Sequence, residues 1–250
     1  MSREQVCLRT NYGYLGDQLC LISAARRYAR DHADAEVFVD CIQDLVDVVG
    51  AYGDGLVKVG TAGRLIQCDP GSRQRSQWCQ ATDFNYLGTY ITELGIKLES
   101  PPSVELPQVP PLLSPEEPYI CLQPRSATWG YPTKKEAVFA SVVRAVRAVK
   151  PLWPIIVVGH TETPRDIPGV IFDFLGSPMS MLRLIRHSKF VITVRSVSAH
   201  IASAYGVPSI VFSPDDGEHW SLNYPKWDRK IVPLDISGDE TESEVSEFIK

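Results

Sequence analysis

The sequence lacks any long apolar run. Its longest apolar stretches, such as Trp153–Val158, are far shorter than the roughly 20 residues that a membrane-spanning helix needs. The N-terminal residues also lack the apolar segment of a secretory signal peptide. We therefore expect a cytoplasmic protein with no transmembrane segment.

Closely spaced cysteines are also missing. The six cysteines form no CxxC pair and have no histidine at ligand spacing. They are Cys7, Cys20, Cys41, Cys68, Cys79 and Cys121. This pattern indicates reduced thiols in the core and argues against a zinc site or a disulfide framework.

An excess of positive charge is absent as well. The chain has 25 Lys and Arg residues against 30 Asp and Glu residues, a formal net charge of −5. Broad binding of nucleic acid needs a clustered basic surface, so this charge balance argues against it. A local phosphate site stays possible because it needs only a few hydrogen-bond donors.

What the sequence does have is an alternation of strands and helices. Val6–Arg9, Ala35–Val39 and Leu56–Val59 are predicted strands, and a predicted helix follows each of the first two. Residues 60–82 are polar and predict a loop. Tyr119–Gln123 starts the same alternation again. Such alternation is typical of parallel sheets with crossover helices. The predicted fold class is therefore α/β, with two Rossmann-like lobes and a cleft between them.

A proline-rich segment separates the two predicted lobes. Seven prolines lie between Glu99 and Pro118, and proline fixes φ and removes a backbone donor. We predict a first lobe over residues 1–100, a linker over 101–118, a second lobe over 119–236 and an acidic C-terminal tail or helix over 237–250.

A glycine-rich turn joins the first predicted strand to the first predicted helix and ends in Tyr14, Gly16 and Asp17. Such a turn lies at the carboxyl end of a strand, where open parallel sheets bind ligands, and it lets the backbone approach a ligand closely. Asp17 is its only carboxylate and could take a proton from a hydroxyl group. The alternative is that Asp17 caps the helix and has no chemical role.

A second strand-to-helix turn follows the predicted strand Phe190–Val194 and contains Arg195, Ser196, Ser198 and His200. Either serine could cap the next helix, whose free N–H groups would suit a diphosphate. The alternatives are a buried histidine satisfied by the backbone and a surface arginine.

A third turn contains Arg125, Ser126 and Thr128 and leads to Lys134 and Lys135 at the start of a predicted helix. These side chains form a compact set of phosphate donors. Solvated lysines at a helix start are an equally good interpretation of the two lysines.

Two further groups follow predicted strands. His160 and Glu162 lie at a strand end, where they could contact a base or ribose, or be polar loop residues by chance. The pair Asp215 and Asp216 suggests a divalent metal, but without further carboxylates at ligand spacing it indicates a turn.

The three turns, in this order, resemble those of the heptosyltransferase-type glycosyltransferases, family 9 of the GT-B fold. Leu15–Asp17 matches the Gly-Asp pair that opens the first helix of that family. Pro124–Ser126, followed by Lys134 and Lys135, is similar to the phosphate loop of its second lobe. Residues 195–214 match its longest motif, which runs through a helix into the next strand.

The resemblance implies an enzyme that moves a hexose or heptose from a nucleoside-diphosphate sugar, with inversion and without a metal or another cofactor. It implies that the first lobe faces the acceptor, with Asp17 as general base, and that the second lobe binds the nucleotide-sugar. The resemblance does not identify the acceptor. The acceptor could be a saccharide, a lipid-linked glycan, a protein, a small molecule or a modified DNA base.

The chain departs from the family at Arg195 and Val197, which replace the Asp and Gly of an Asp-Ser-Gly motif. A cation there favours a different donor or a stronger diphosphate contact, and valine lacks the backbone freedom of glycine. Two alternatives stay open. One is a nucleotide-sugar epimerase of the same architecture, for which the first lobe offers few acid or base groups beyond Asp17 and Asp40. The other is a non-catalytic module that binds a sugar-nucleotide or glycan.

Overall fold

The computed structural model describes residues 3–69, 85–124, 134–159, 170, 172–174, 176–213 and 222–250, and gives the backbone alone for 134–137 and 172–174. The chain divides into two compact units. The first comprises Met1–Val109 with Glu218–Pro225, and the second comprises Pro110–Gly217 with Lys226–Lys250. The first boundary falls inside the predicted proline-rich segment.

Strands and helices alternate along the first unit. Its strands are β1 (Glu4–Arg9), β2 (Ala35–Asp40), β3 (Val57–Val59) and β4 (Arg64–Gln67). Its helices are α1 (Leu15–Asp31), a 3-10 turn at Gln43–Leu45, α2 (Val46–Gly50) and α3 (Tyr86–Glu93). The strands form one parallel sheet in the order β3-β2-β1-β4.

Helix α1 lies at the centre of the first unit. It packs against β2 and α3, and its residues Leu19, Leu21 and Ile22 are fully buried. Burial of each such side chain contributes about 1.5–3 kcal/mol, so these contacts fix the helix and its first turn beside the sheet.

Strand β4 corrects the prediction that residues 60–82 form only a loop. It pairs in parallel with β1, from Val6 opposite Arg64 to Arg9 opposite Gln67. The chain enters it through Gly63, whose φ is +93°, and a Cβ there would lie 2.2 Å from the backbone carbonyl of Gln5. Only glycine fits this approach, because the backbones leave no room for a side chain.

The second unit contains six strands and four helices in its described residues. The strands are β5 (Ile120–Gln123), β6 (Ile155–Val158), β7 (Phe172–Phe174), β8 (Phe190–Val194), β9 (Ser209–Ser213) and β10 (Arg229–Pro233). The helices are α4 (Lys134–Val149), α5 (Pro178–His187), α6 (Val197–Tyr205) and α7 (Gly238–Ile249).

The sheet of the second unit is parallel and has the order β10-β9-β8-β5-β6-β7. This is the order of a doubly wound Rossmann fold. Its core is built from strands β5, β6, β8, β9 and β10 together with helices α4 and α7, and includes Phe139 and Phe212, whose rings meet edge to face at 5.9 Å. The predicted α/β class with two Rossmann-like lobes is confirmed.

The part of the proline-rich segment that belongs to the first unit is bound to α1 by hydrogen bonds and ion pairs. Val104 is buried, and the backbone N–H of Glu105 donates to Ser23 Oγ at 3.1 Å. The Glu105 carboxylate accepts from Arg26 Nε at 3.3 Å and from Arg30 Nη1 at 2.9 Å. These contacts hold the segment against α1.

The beginning of the second unit is fixed in the same way. Arg183 on α5 donates from Nε to the carbonyl of Pro110 at 3.1 Å and from Nη2 to the carbonyl of Pro111 at 3.0 Å. Prolines cannot donate, but their carbonyls accept, so an arginine suits this contact. In the described ranges, no helix has the length and hydropathy needed to cross a membrane.

Candidate functional site

Each sheet has one place where its strand order reverses. In the first unit this switch point lies between β1 and β4, and in the second it lies between β5 and β8. Connections leave such neighbouring strands toward opposite faces of the sheet, which opens a crevice at their carboxyl ends. The residues that follow these four strands are therefore the first candidates for a ligand site.

Asp69 occupies the switch point of the first unit. Its Oδ1 accepts from Thr10 Oγ1 at 2.8 Å and from the Asn11 backbone N–H at 2.6 Å. Its Oδ2 accepts from Asn11 Nδ2 at 2.5 Å and from Gln67 Nε2 at 2.7 Å. Four donors bind this carboxylate, so it ties the segment after β4 to the glycine-rich turn after β1. Sequence analysis missed Asp69 because its partners at residues 10 and 11 are far away along the chain.

The glycine-rich turn leads into α1 as predicted. Tyr14 is the N-cap residue and is 49% exposed, while Gly16 and Asp17 lie in the first helical turn. Gln18 is 3% exposed, and its Nε2 donates back to the Tyr12 carbonyl at 2.8 Å. Within the described residues, Gln18 Oε1 has no hydrogen-bond partner. A Cβ at Gly13 would meet no atom within 4 Å, so this turn is open on that side.

Asp17 is buried and faces α3. The residue is 7% exposed, and its Oδ1 accepts hydrogen bonds from Tyr86 Oη and Tyr90 Oη, both at 2.7 Å. Because Tyr14 is the N-cap, Asp17 is not the capping residue of α1. A buried carboxylate is costly unless donors surround it, and the tyrosine hydroxyls supply them.

Gln123 spans the switch point of the second unit. It ends β5, is 7% exposed, and its Oε1 accepts from Ser196 Oγ at 2.7 Å and from the Ser198 backbone N–H at 3.3 Å. Thr193 Oγ1 lies 2.9 Å from Ser196 Oγ. The structure thus brings the predicted residues Ser196 and Ser198 together with Gln123, which sequence analysis did not single out.

Helix α6 starts directly after β8, where the sequence predicts a turn from a strand into a helix. Ser196 is its N-cap residue, and the first helical residue is Val197. Ser198 is fully buried, and its Oγ has no hydrogen-bond partner among the described residues. The helical conformation of Val197 needs no glycine, so this departure from the family motif causes no backbone strain. Arg195 and His200 are half-buried on either side.

Several predicted site residues fall wholly or partly outside the described residues. Lys134 and Lys135 begin α4, as predicted, but their side chains lie outside the described part. The other predictions that lie outside the described residues are Arg125, Ser126, Thr128, His160, Glu162, Asp215 and Asp216. Within the described ranges, no group of three or more His, Cys, Asp or Glu side chains is arranged to bind a metal ion.

The thiols near the strand ends are not reactive groups. Cys68, next to Asp69, is buried, and this burial raises its pKa to about 12. Cys121 on β5 is buried completely, with its pKa raised to about 12 for the same reason. A thiol with so high a pKa carries almost no thiolate at neutral pH. Cys7 and Cys20 are buried as well, which confirms the predicted place in the core for these four cysteines, whereas Cys41 is only partly buried.

No protein-family model and no curated protein matches the sequence. Solved structures do match. A family 9 glycosyl transferase from Veillonella parvula aligns with a TM-score of 0.68 at 12% identity, over 100% of this chain and 97% of the other. The iron-containing dodecameric glycosyltransferase TibC from enterotoxigenic Escherichia coli aligns with a TM-score of 0.67 at 18% identity, over 97% of this chain. The chain spans 66% of the length of TibC.

The chain has the GT-B fold. The predicted resemblance to family 9 is thereby confirmed for the architecture. The GT-B fold is also found outside the transferases, since a putative UDP-N-acetylglucosamine 2-epimerase from Listeria monocytogenes aligns with a TM-score of 0.58 at 9% identity, over 100% of this chain and 88% of the other. The fold alone therefore does not distinguish sugar transfer from epimerisation.

Proposed function

We propose that the protein is a glycosyltransferase that moves a sugar from a nucleoside-diphosphate sugar to a hydroxyl-bearing acceptor. This proposal rests on the chemical groups that lie at the two switch points. A buried carboxylate follows β1 in the first unit, and a helix start with hydroxyl groups follows β8 in the second. These are the two chemical groups that the transfer needs, a base and a site for the diphosphate.

The donor side of the proposal rests on the second unit. The first-turn N–H groups of α6 suit a diphosphate because they carry the positive end of the helix dipole. Ser196 and Ser198 add hydroxyl donors, and Arg125, Lys134 and Lys135 are the proposed cations that stabilise the leaving diphosphate. TibC has been solved in complex with ADP-D-beta-D-heptose, which supports a donor of this class.

The acceptor side of the proposal rests on Asp17. As the acceptor oxygen attacks the anomeric carbon, the Asp17 carboxylate takes the proton from that hydroxyl. The bond between the anomeric carbon and the diphosphate breaks, and the diphosphate leaves with the electron pair. Attack on the face opposite the leaving group inverts the configuration. The proposal includes no metal, and undiminished turnover in EDTA is the expected result.

A nucleotide-sugar epimerase is the second candidate because the Listeria protein shares the fold. Epimerisation at a carbon that bears a hydrogen needs acid or base groups on both sides of the sugar. Beyond Asp17, the first unit offers Asp40 as a candidate base, and Arg9 Nε donates to the Asp40 carboxylate at the neighbouring end of β1. This ion pair favours transfer over epimerisation, since it engages the second carboxylate.

The test measures nucleotide release from a panel of ADP-, UDP-, GDP- and dTDP-sugars by the wild type and by Asp17→Asn. A panel of saccharide, lipid-linked and small-molecule acceptors is included. We expect Asp17→Asn to lower kcat roughly 100-fold or more, because the carboxamide cannot take the proton. Asp31→Asn, at the exposed end of α1, is the matched control and should keep wild-type turnover.

Each alternative predicts a different product. Epimerised sugar with the diphosphate bond intact would identify an epimerase. Binding of the nucleotide-sugar with no product from any acceptor would identify a non-catalytic module. Full turnover by Asp17→Asn would contradict the assignment of the base while leaving the transferase assignment in place.

A further inference from the structure

Two tyrosines on α3 donate to one oxygen atom of Asp17. Tyr86 Oη and Tyr90 Oη both lie 2.7 Å from Asp17 Oδ1. Residues four apart on a helix share a face, so one face of α3 directs both hydroxyls at the same atom. The two rings stand 6.1 Å apart, tilted by 57°.

The three side chains form a polar cluster in an apolar setting. Tyr90 is fully buried, Asp17 is 7% exposed, and Tyr86 is half-buried. Leu87 and Ile91, on the same helix, are 1% and 3% exposed. Hydrogen bonds from neutral hydroxyls to a carboxylate are stronger than those between neutral groups. The cluster therefore fixes the Asp17 side chain in one orientation more firmly than a solvated carboxylate is held.

Helix α3 is itself held in place at its N-cap residue. Asn85 is fully buried, and its Oδ1 accepts from the Gly88 N–H at 3.3 Å as an N-cap. Its Nδ2 donates to the carbonyl of Pro102 at 2.5 Å and to that of Asn223 at 3.2 Å. One side chain thus caps the helix and ties it to two other segments of the first unit. The helix that carries the two tyrosine hydroxyls is therefore fixed in position.

We propose that Tyr86 and Tyr90 are positioning residues that hold the Asp17 carboxylate in the orientation in which it takes the acceptor proton. This inference rests on the proposed role of Asp17 as the base. The proton of the acceptor hydroxyl goes to the Asp17 carboxylate, which becomes a neutral carboxylic acid. The acceptor oxygen bonds to the anomeric carbon as the diphosphate leaves.

The test compares Tyr86→Phe and Tyr90→Phe with the wild type. Phenylalanine keeps the ring and its packing and removes only the hydroxyl. We expect kcat to fall roughly 10- to 100-fold in each variant, because a misplaced catalytic group costs that much. The KM for the donor should stay within about twofold, since neither hydroxyl belongs to the donor site.

Tyr52→Phe is the matched control. Its hydroxyl donates to the Glu105 backbone carbonyl at 2.6 Å, in the same unit and away from Asp17. This variant measures the effect of removing a tyrosine hydroxyl whose hydrogen-bond partner is a backbone carbonyl. We expect this variant to retain the kcat of the wild type.

A second measurement does not depend on turnover. The carboxyl of Asp17 is followed by carbon NMR as the pH is lowered, with Asp17→Asn used to assign the signal. Donors to the ionised form favour that form, so the midpoint should move to higher pH in both Tyr→Phe variants and not in Tyr52→Phe. An unchanged midpoint overturns the inference.

The two proposals fail in different ways. A wild type that transfers no sugar to any acceptor overturns the proposed function. A wild type that transfers sugar, with Tyr86→Phe and Tyr90→Phe matching Tyr52→Phe in kcat, overturns the positioning role alone.

Discussion

At the scale of single residues, the side chains around α1 show how charge is kept inside the first unit. Arg26 is 8% exposed, and its Nη1 and Nη2 donate to the Asp54 carboxylate at 3.1 and 2.7 Å. The guanidinium group also lies over the ring of Tyr52, 3.8 Å from its centre. A buried arginine with these contacts anchors the chain near Asp54 to the helix that carries Asp17.

The Arg26–Asp54 pair predicts a pH dependence of stability. The hydrogen bond from Arg26 lowers the pKa of Asp54 below its ordinary value. A lowered folded-state pKa contributes stability above the unfolded-state pKa of about 3.9, and this contribution is lost as the pH falls through the folded-state pKa. Asp54→Asn should therefore lower the free energy of unfolding by about 1 kcal/mol at pH 7, and by less as the pH falls below about 4.

Urea unfolding at a series of pH values measures this difference, with the exposed Asp34→Asn as control. An equal loss at every pH would show that the pair contributes through packing and not through charge.

Single residues also show where the sequence was sufficient and where it was not. The position of Asp17, Ser196 and Ser198 at the start of a helix could be predicted, because a strand, a turn and a helix follow one another there in a local pattern. Asp69, Gln123 and the tyrosines could not, because their partners are distant in the chain and no local pattern marks them.

At the scale of secondary-structure elements, the start of α6 is defined by a side chain from another strand. Gln123 Oε1 accepts the Ser198 N–H, as an N-cap side chain would. The Ser198 N–H is also one of the groups proposed to donate to the diphosphate. Gln123 Oε1 therefore lies in part of the proposed diphosphate site.

Gln123→Glu tests this arrangement. The carboxylate would be favoured at the helix N-terminus, so the free energy of unfolding should stay the same or rise by about 0.3–1 kcal/mol. The same charge should repel the donor and weaken the affinity for a nucleoside diphosphate roughly 10-fold or more. Calorimetric titration and thermal unfolding measure the two effects.

Gln43→Glu adds the same charge on an exposed site of the first unit and should change neither quantity. If Gln123→Glu binds the nucleoside diphosphate as tightly as Gln43→Glu does, the diphosphate does not lie at the start of α6.

Some predicted elements match the structure closely. Strand β8 has the predicted bounds Phe190–Val194, and α4 begins at Lys134 as predicted. Strands β4 and β10 were missed for physical reasons. Arg64–Gln67 has polar residues at both ends of a short edge strand, and Arg229–Pro233 begins with two cations and ends in proline, which is tolerated only at an edge.

At the scale of the whole molecule, each of the two units has its own parallel sheet. In the proposed function, the second unit binds the donor without help from the first. Hydrogen exchange tests this division. A nucleoside diphosphate should slow exchange at the end of β5 and the start of α6, since binding stabilises the bound region by mass action.

The expected protection covers residues 120–124 and 193–200, with the exchange of α1 and α3 unchanged when no acceptor is present. Protection confined to the first unit would place the nucleotide on the wrong lobe and contradict the proposed donor site.

The close passage of Gly63 past the Gln5 carbonyl has a consequence for how this gene tolerates change. Every missense mutation of that codon adds atoms where two main chains already touch, so β4 could not lie beside β1 and Asp69 would lose its place. A position with no functional group of its own would then rank with Asp17 among the most sensitive in a saturation library.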